Sequence, residues 1–177
     1  MSYMNIFASF LVSIGLILSP GSVFAENESS LKYRVLSTEH SGLNTKSINS
    51  LLDQAEISIN NGNLDDAGEK LNKARNLSNL LINYYRDLNS SFRGIDALIP
   101  REMAKKTRTS IQLLAKANIQ LATIHRSKGE HELAVPLLVE VVKLIKPSNP
   151  IGAKAYQELF ELGFVEIPFA GSPKHSL

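Results

Sequence analysis

Among its 177 residues the chain has no cysteine and no tryptophan. The missing cysteines exclude a disulfide framework, a thiolate nucleophile and any Cys-ligated metal or cluster. An excess of one charge is missing too. Nineteen Lys and Arg stand against seventeen Asp and Glu, a formal +2, so no global field points to nucleic acid or another polyanion. There is no HExxH, no GxSxG, no GxGxxG and no phosphate-binding P-loop. Apart from a short extended piece at Leu31–Leu36, no stretch alternates polar and apolar residues convincingly over strand length, so the domain reads as all-α. The length suits one ordinary globular domain and is too short for two large ones.

Residues 1–25 contain no Asp, Glu, Lys or Arg, and Ile6 to Leu18 is an apolar run broken only by Ser9, Ser13 and Gly15. Ser19-Pro20-Gly21 interrupts any helix, Val23-Phe24-Ala25 ends on a small residue, and Glu26-Asn27-Glu28 is abruptly polar. The run is shorter than the roughly 20 residues a spanning helix needs. Residues 1–25 therefore read as a signal peptide cut after Ala25; the alternative is an uncleaved anchor, which would make the chain a membrane-tethered structural subunit. Export without cysteine favours a periplasm or a thylakoid-type lumen over a disulfide-rich extracellular space.

Residues 26–45 are polar without a sustained period and read as a flexible lead-in; residues 46–163 carry helical periods; residues 164–177 form a tail. Ile48, Leu51, Leu52, Ala55 and Ile59 give a first helix one apolar face, stopped at Asn60-Asn61-Gly62-Asn63. Leu64 to Phe92 steps by three or four through a long second helix, opened by an Asn63 cap with Asp66 three residues on. Gly68 inside it is read as a point of close helix approach. A third helix spans Arg101 to Lys128, with Pro100 in its opening turn. A fourth holds Leu133, Leu137, Leu138, Val141 and Ile145 despite Pro136. Ser148-Asn149-Pro150 opens a fifth, Ile151–Leu162, closed by Gly163. The expected fold is all-α: antiparallel helical hairpins, about five helices, two of them long and central.

Two segments share a pattern. Ala55-x6-Gly62-x4-Ala67-x3-Leu71-x2-Ala74 matches Ala122-x6-Gly129-x4-Ala134-x3-Leu138-x2-Val141, displaced by close to two periods of about 34 residues. These segments resemble tetratricopeptide repeats, in which small residues let helices pack closely and the glycine turns the chain. A middle repeat is absent, because basic residues stand at Arg101, Lys105 and Arg108 where small or apolar ones belong. The exported, cysteine-free chain also resembles small lumenal or periplasmic proteins of cyanobacterial type. The repeat resemblance implies that the first helix of each hairpin lines a protein-binding face. It nominates Leu52, Glu56 and Ile59 in one hairpin and Lys116, Ile119, Thr123 and Arg126 in the other.

Candidate chemistry is sparse. His40 and His175 fall in the lead-in and tail, whereas His125 and His131 flank the Gly129 turn beside Glu130 and Glu132. That pairing makes a metal-dependent hydrolase the alternative function, against a plain reading of His125 as a core-edge residue. Asp65-Asp66 is explained by the charge preference of a helix N-terminus. Arg93, Arg101, Lys105, Lys106 and Arg108 are the one local charge bias, read as a solvated helix face or as a docking patch for an acidic protein surface or anionic lipid headgroups; no aromatics interleave with them as single-stranded nucleic acid would require.

The lengths of the helices imply a shape. The second and third pair antiparallel, while the first and fourth, about half as long, make a four-helix bundle at the Gly62 and Gly129 end. The far half is a two-helix arm, which the fifth helix and tail are expected to cover. An apolar tip at Phe92, Ile95, Leu98 and Ile99, collared by Arg93, Arg101, Lys105 and Lys106, is the expected partner site. The chain thus reads as an exported, non-enzymatic adaptor, assembly or maintenance factor. It is expected to bind a protein partner, membrane-associated or free, and to need no nucleic acid, no small-molecule substrate and no cofactor.

Overall fold

Asn44 ends an irregular entry by accepting the Ser47 amide on Oδ1 at 2.8 Å, and helix α1 (Thr45–Asn60) starts there. The computed structural model describes residues 42–170. The expected signal peptide, the lead-in up to residue 41, His40, His175 and the last residues of the tail lie outside the described residues. The Asn63 cap behaves as its position predicts: Oδ1 accepts from Asp66 N at 3.2 Å and opens α2 (Leu64–Ser91). Helix α3 (Leu98–Ser127) begins three residues before Arg101, because Asp96 Oδ1 accepts the amides of both Leu98 at 2.7 Å and Ile99 at 2.8 Å. Pro100 then lies within the first turn, where an amide proton has no helical acceptor to lose. Helix α4 (His131–Leu144) runs through Pro136, and α5 (Pro150–Glu161) opens with Asn149 Oδ1 accepting from Ile151 N at 3.0 Å.

Packing follows chain order, each helix lying mainly against its neighbours in sequence. The α2–α3 pair is the longest interface and is antiparallel. Lys128 Nζ reaches Asp65 Oδ1 at 2.6 Å at one end, and Asn89 Nδ2 donates to the Pro100 carbonyl at 2.6 Å at the other. Helix α3 is central: it packs against all four other helices and contributes twelve buried residues. Among its buried side chains is Asn118, fully enclosed, donating to Glu140 Oε2 of α4 at 2.9 Å and accepting from Arg75 Nε of α2. The amide so placed joins three helices through one polar group with every hydrogen-bonding atom used.

The two hairpin turns are copies of one another. Gly62 and Gly129 have φ of 76° and 75°. Gly62 N donates to Ile59 O at 2.9 Å and Asn63 N to Ser58 O at 2.8 Å; Gly129 N donates to Arg126 O at 3.0 Å and Glu130 N to His125 O at 2.9 Å. Both glycines sit at the left-handed position where a side chain would be strained. Apart from the two turn glycines, every residue of the repeated pattern, from Ala55 to Ala74 and from Ala122 to Val141, is fully buried. Gly68 does something different from what its sequence suggests. Outside its own helix backbone, no atom lies within 4 Å of where its Cβ would be, so no other helix approaches there.

Two parts of the expected shape are corrected. No extended α1–α4 interface closes a four-helix bundle among the described residues; α1 instead lies against α2 and α3. Helix α5 does not cover the α2–α3 arm but packs along α4 and meets α3. The cause is the short connector after Ile145 together with Gly152. A Cβ on Gly152 would overlap the carbonyl oxygens of Ile145 and Lys146 and stand 2.7 Å from the Lys146 carbonyl carbon. Only a residue without Cβ lets α5 turn back so tightly. Past Glu161 the chain folds back: Tyr156 OH donates to Ile167 O at 2.9 Å and its ring meets Phe169 edge-on, centroids 6.3 Å apart.

Candidate functional site

Alternate helices α1, α3 and α5 border a groove of about 500 Å³. Leu52 and Ile119, both nearly buried, form its bottom, and Pro150 and Ile151 extend the apolar lining at the start of α5. Asn49, Asp53 and Glu56 line it from α1, while Lys116 and Lys154 line it from α3 and α5. One wall is thus acidic and the other basic, a lining suited to a segment that brings apolar side chains and charges of both signs. Gln120 also lines the groove, and its Oε1 is buried with no hydrogen-bond donor among the described residues.

Of the residues the repeat resemblance nominates, Leu52, Glu56, Lys116 and Ile119 come together in this groove. Ile59, Thr123 and Arg126 do not line it. Ile59 packs at the core edge, and Thr123 Oγ1 donates to Ile119 O at 3.0 Å. Arg126 bridges α3 to α5, its guanidinium 3.2 Å from both Glu158 Oε2 and Glu161 Oε2. Burial raises the Glu158 carboxyl above its ordinary pKa, against the opposing pull of Arg126. The sequence reading missed Asn49, Asp53, Gln120 and the whole α5 contribution. The one available signal was Asn149-Pro150, which marks where α5 starts but not what it faces.

The tip residues gather at the far end of the α2–α3 hairpin. Between Asn83 and Glu102 no side chain is buried. Ile95 and Leu98 are 79% and 74% exposed, and Phe92 and Ile99 are half-buried. Arg93 Nη2 contacts Asn89 Oδ1 at 3.4 Å. Lys106 pairs with Glu102 at 2.9 Å and lies 5.6 Å over the Tyr85 ring, which ties it to the arm. Arg101 and Lys105 are exposed and have no ion-pair partner among the described residues. Along α3, Leu98 and Lys116 are separated by about 27 Å at about 1.5 Å per residue, so tip and groove are distinct places.

Of the groups considered for chemistry, His125, Asp65 and Asp66 make side-chain contacts. His125 Nδ1 lies 2.7 Å from Glu130 Oε2, and His131 is exposed in the first turn of α4. No group of three His, Asp or Glu placed to hold a metal ion occurs among the described residues. Hydrogen bonding from Lys128 holds the Asp65 carboxyl below its ordinary pKa; Lys70 and then Ser58 do the same for Asp66. No helix among the described residues is long and apolar enough to cross a membrane. Compared with protein-family models, with curated proteins and with solved structures, the chain matches none.

Proposed function

We propose that this chain is an exported, non-enzymatic helical module of tetratricopeptide-like design that binds a segment of another protein in the α1–α3–α5 groove. The observation that carries this reading is the groove itself. It lies on alternate helices, where the resemblance puts the binding face, with an apolar bottom between walls of opposite charge. The two copied turns support the same reading, since equal turn geometry and equally buried small residues are what a repeated hairpin requires. In this role Leu52, Ile119 and Ile151 take apolar side chains, Lys116 and Lys154 orient acidic groups, and Asp53 and Glu56 orient basic ones. Export rests on the apolar run of residues 6–18 and the small residue at position 25.

Site-specific photo-crosslinking tests it. A photoreactive residue replacing Glu56 in the groove should give a discrete protein adduct in native extracts, and one replacing Lys143 on α4 should not. Lys116→Glu combined with Lys154→Glu should abolish that adduct while leaving the helical circular dichroism signal unchanged. An adduct pattern shared by both positions, or insensitive to the charge reversal, refutes the groove as a binding site. The mass of the exported protein's N-terminal peptide tests cleavage after Ala25.

A further inference from the structure

We infer that the α2–α3 tip is a docking point for an anionic lipid surface, a property separate from the groove and independent of what the groove binds. The tip projects. At about 1.5 Å per residue, α2 and α3 run about 42 and 45 Å, whereas α1 and α4 run about 24 and 21 Å and flank only the opposite half. At the point of projection stand two aliphatic side chains, Ile95 and Leu98, that fold into nothing.

The charge around them is arranged by the helix. Leu98, Arg101 and Lys105 follow at i, i+3 and i+7, so they share one face of α3. Lys105 is set back from Leu98 by about 10 Å along the axis, with Arg101 between. An interfacial element seats its apolar groups about 5–10 Å into the headgroup and acyl boundary. With Leu98 at that depth, Arg101 and Lys105 fall among the headgroups. Arg93 adds a third cation from the α2 side. The nearby acids offset this only in part. Asp96 is held by the Leu98 and Ile99 amides and Glu102 faces Lys106, while Arg86 and Asp87, one of each sign, leave the net charge unchanged.

Size and curvature favour lipid over protein. A stable protein interface takes roughly 800 Å² from each partner, supplied by about 20–30 residues. A convex knob ending in two aliphatic side chains offers a small part of that. A bilayer needs no complementary pocket, only apolar groups to accept and anionic headgroups for the cations, each cation strengthening binding about fivefold.

The absence of cysteine makes the test local. In the full chain, Ala97→Cys places a single thiol between Ile95 and Leu98 for an environment-sensitive fluorophore, and Lys143→Cys gives a matched label on exposed α4. With vesicles of phosphatidylcholine mixed with phosphatidylglycerol, the label at 97 should shift to the blue, and the label at 143 should not. Phosphatidylcholine alone should leave both unmoved. Arg93→Glu, Arg101→Glu and Lys105→Glu together should weaken the vesicle titration by at least about 100-fold, since losing three cations at about fivefold each already gives that. Ile95→Ser with Leu98→Ser should abolish the shift, with helical content retained in both variants because all five residues are exposed. No shift at 97, an equal shift on neutral vesicles, or an equal shift at 143 overturns the proposal; the last would place binding elsewhere on the chain. A shift at 97 on polyglutamate but not on anionic vesicles overturns it in favour of an acidic protein surface.

Discussion

Replacing Gly152 by alanine is the most direct probe of how the fifth helix is placed. Taken as a helical residue alone, glycine to alanine should stabilise by up to about 1 kcal/mol. The structure reverses the sign. The new Cβ would meet backbone atoms of Ile145 and Lys146 on the preceding connector, and backbone cannot swing aside as a side-chain end can. Relieving that overlap means moving α5 away from α4, an overpacking cost of about 1–3 kcal/mol that exceeds the propensity gain. For a chain of this size each kcal/mol shifts the melting temperature by about 2–4 °C, so a fall of several degrees is expected. Gly68→Ala is the internal control. It lies in the interior of α2 with open space around the missing Cβ, so the same chemical change should raise the melting temperature slightly. Thermal melts of both variants, followed by circular dichroism, decide the matter. If Gly152→Ala melts at or above wild type, the tight α4–α5 turn described here is wrong.

Other consequences of the packing are open to measurement. Ala67→Leu and Ala134→Leu should each destabilise by about 1–3 kcal/mol in denaturant melts, because both alanines are fully buried at equivalent points of the two hairpins. Asn118→Leu should cost about 1–3 kcal/mol: it leaves the Arg75–Glu140 pair, 3.2 Å apart, without the buried amide that serves both. Glu158 holds its proton more tightly in the fold than in the unfolded chain, since burial raises its pKa above the ordinary 4.5. The stability this confers is full below the unfolded value and is lost as pH rises through the raised folded value. Denaturant melts across the mildly acidic range should therefore show wild type losing stability with rising pH more steeply than Glu158→Gln. Lys128→Gln should bring the Asp65 carboxyl back toward its ordinary pKa, read by NMR titration, because the Lys128 hydrogen bond is what lowers it.

The sequence revealed most about what is local. Three-to-four periods mark every helix, and Gly62, Gly129 and Gly163 end theirs in the left-handed conformation that such positions suggest. The antiparallel α2–α3 pair and its bare tip were also legible, because two long periods joined by a few residues have little other choice. What stayed hidden depends on single contacts between elements. Asp96 moves the start of α3 through its side chain, which no apolar period records. Gly152 directs α5 onto α4 through a clash that a different residue would suffer, and the identity of the neighbour appears only in three dimensions. Because α5 was misplaced, its share of the groove was invisible too. Gly68 shows the opposite error, a glycine given a packing reason when open space surrounds it.

The returning tail also bears on self-association. A row of hairpins that ends on an unmated helix invites a second molecule to add its first helix there, and a head-to-tail contact of that kind has no closing symmetry, so it propagates into fibres. In this chain the hydroxyl and ring of Tyr156 on the last helix are already engaged by Ile167 and Phe169. The tail thus shields that side of the last helix: a second molecule could reach the Tyr156 side chain there only after Ile167 and Phe169 had peeled away.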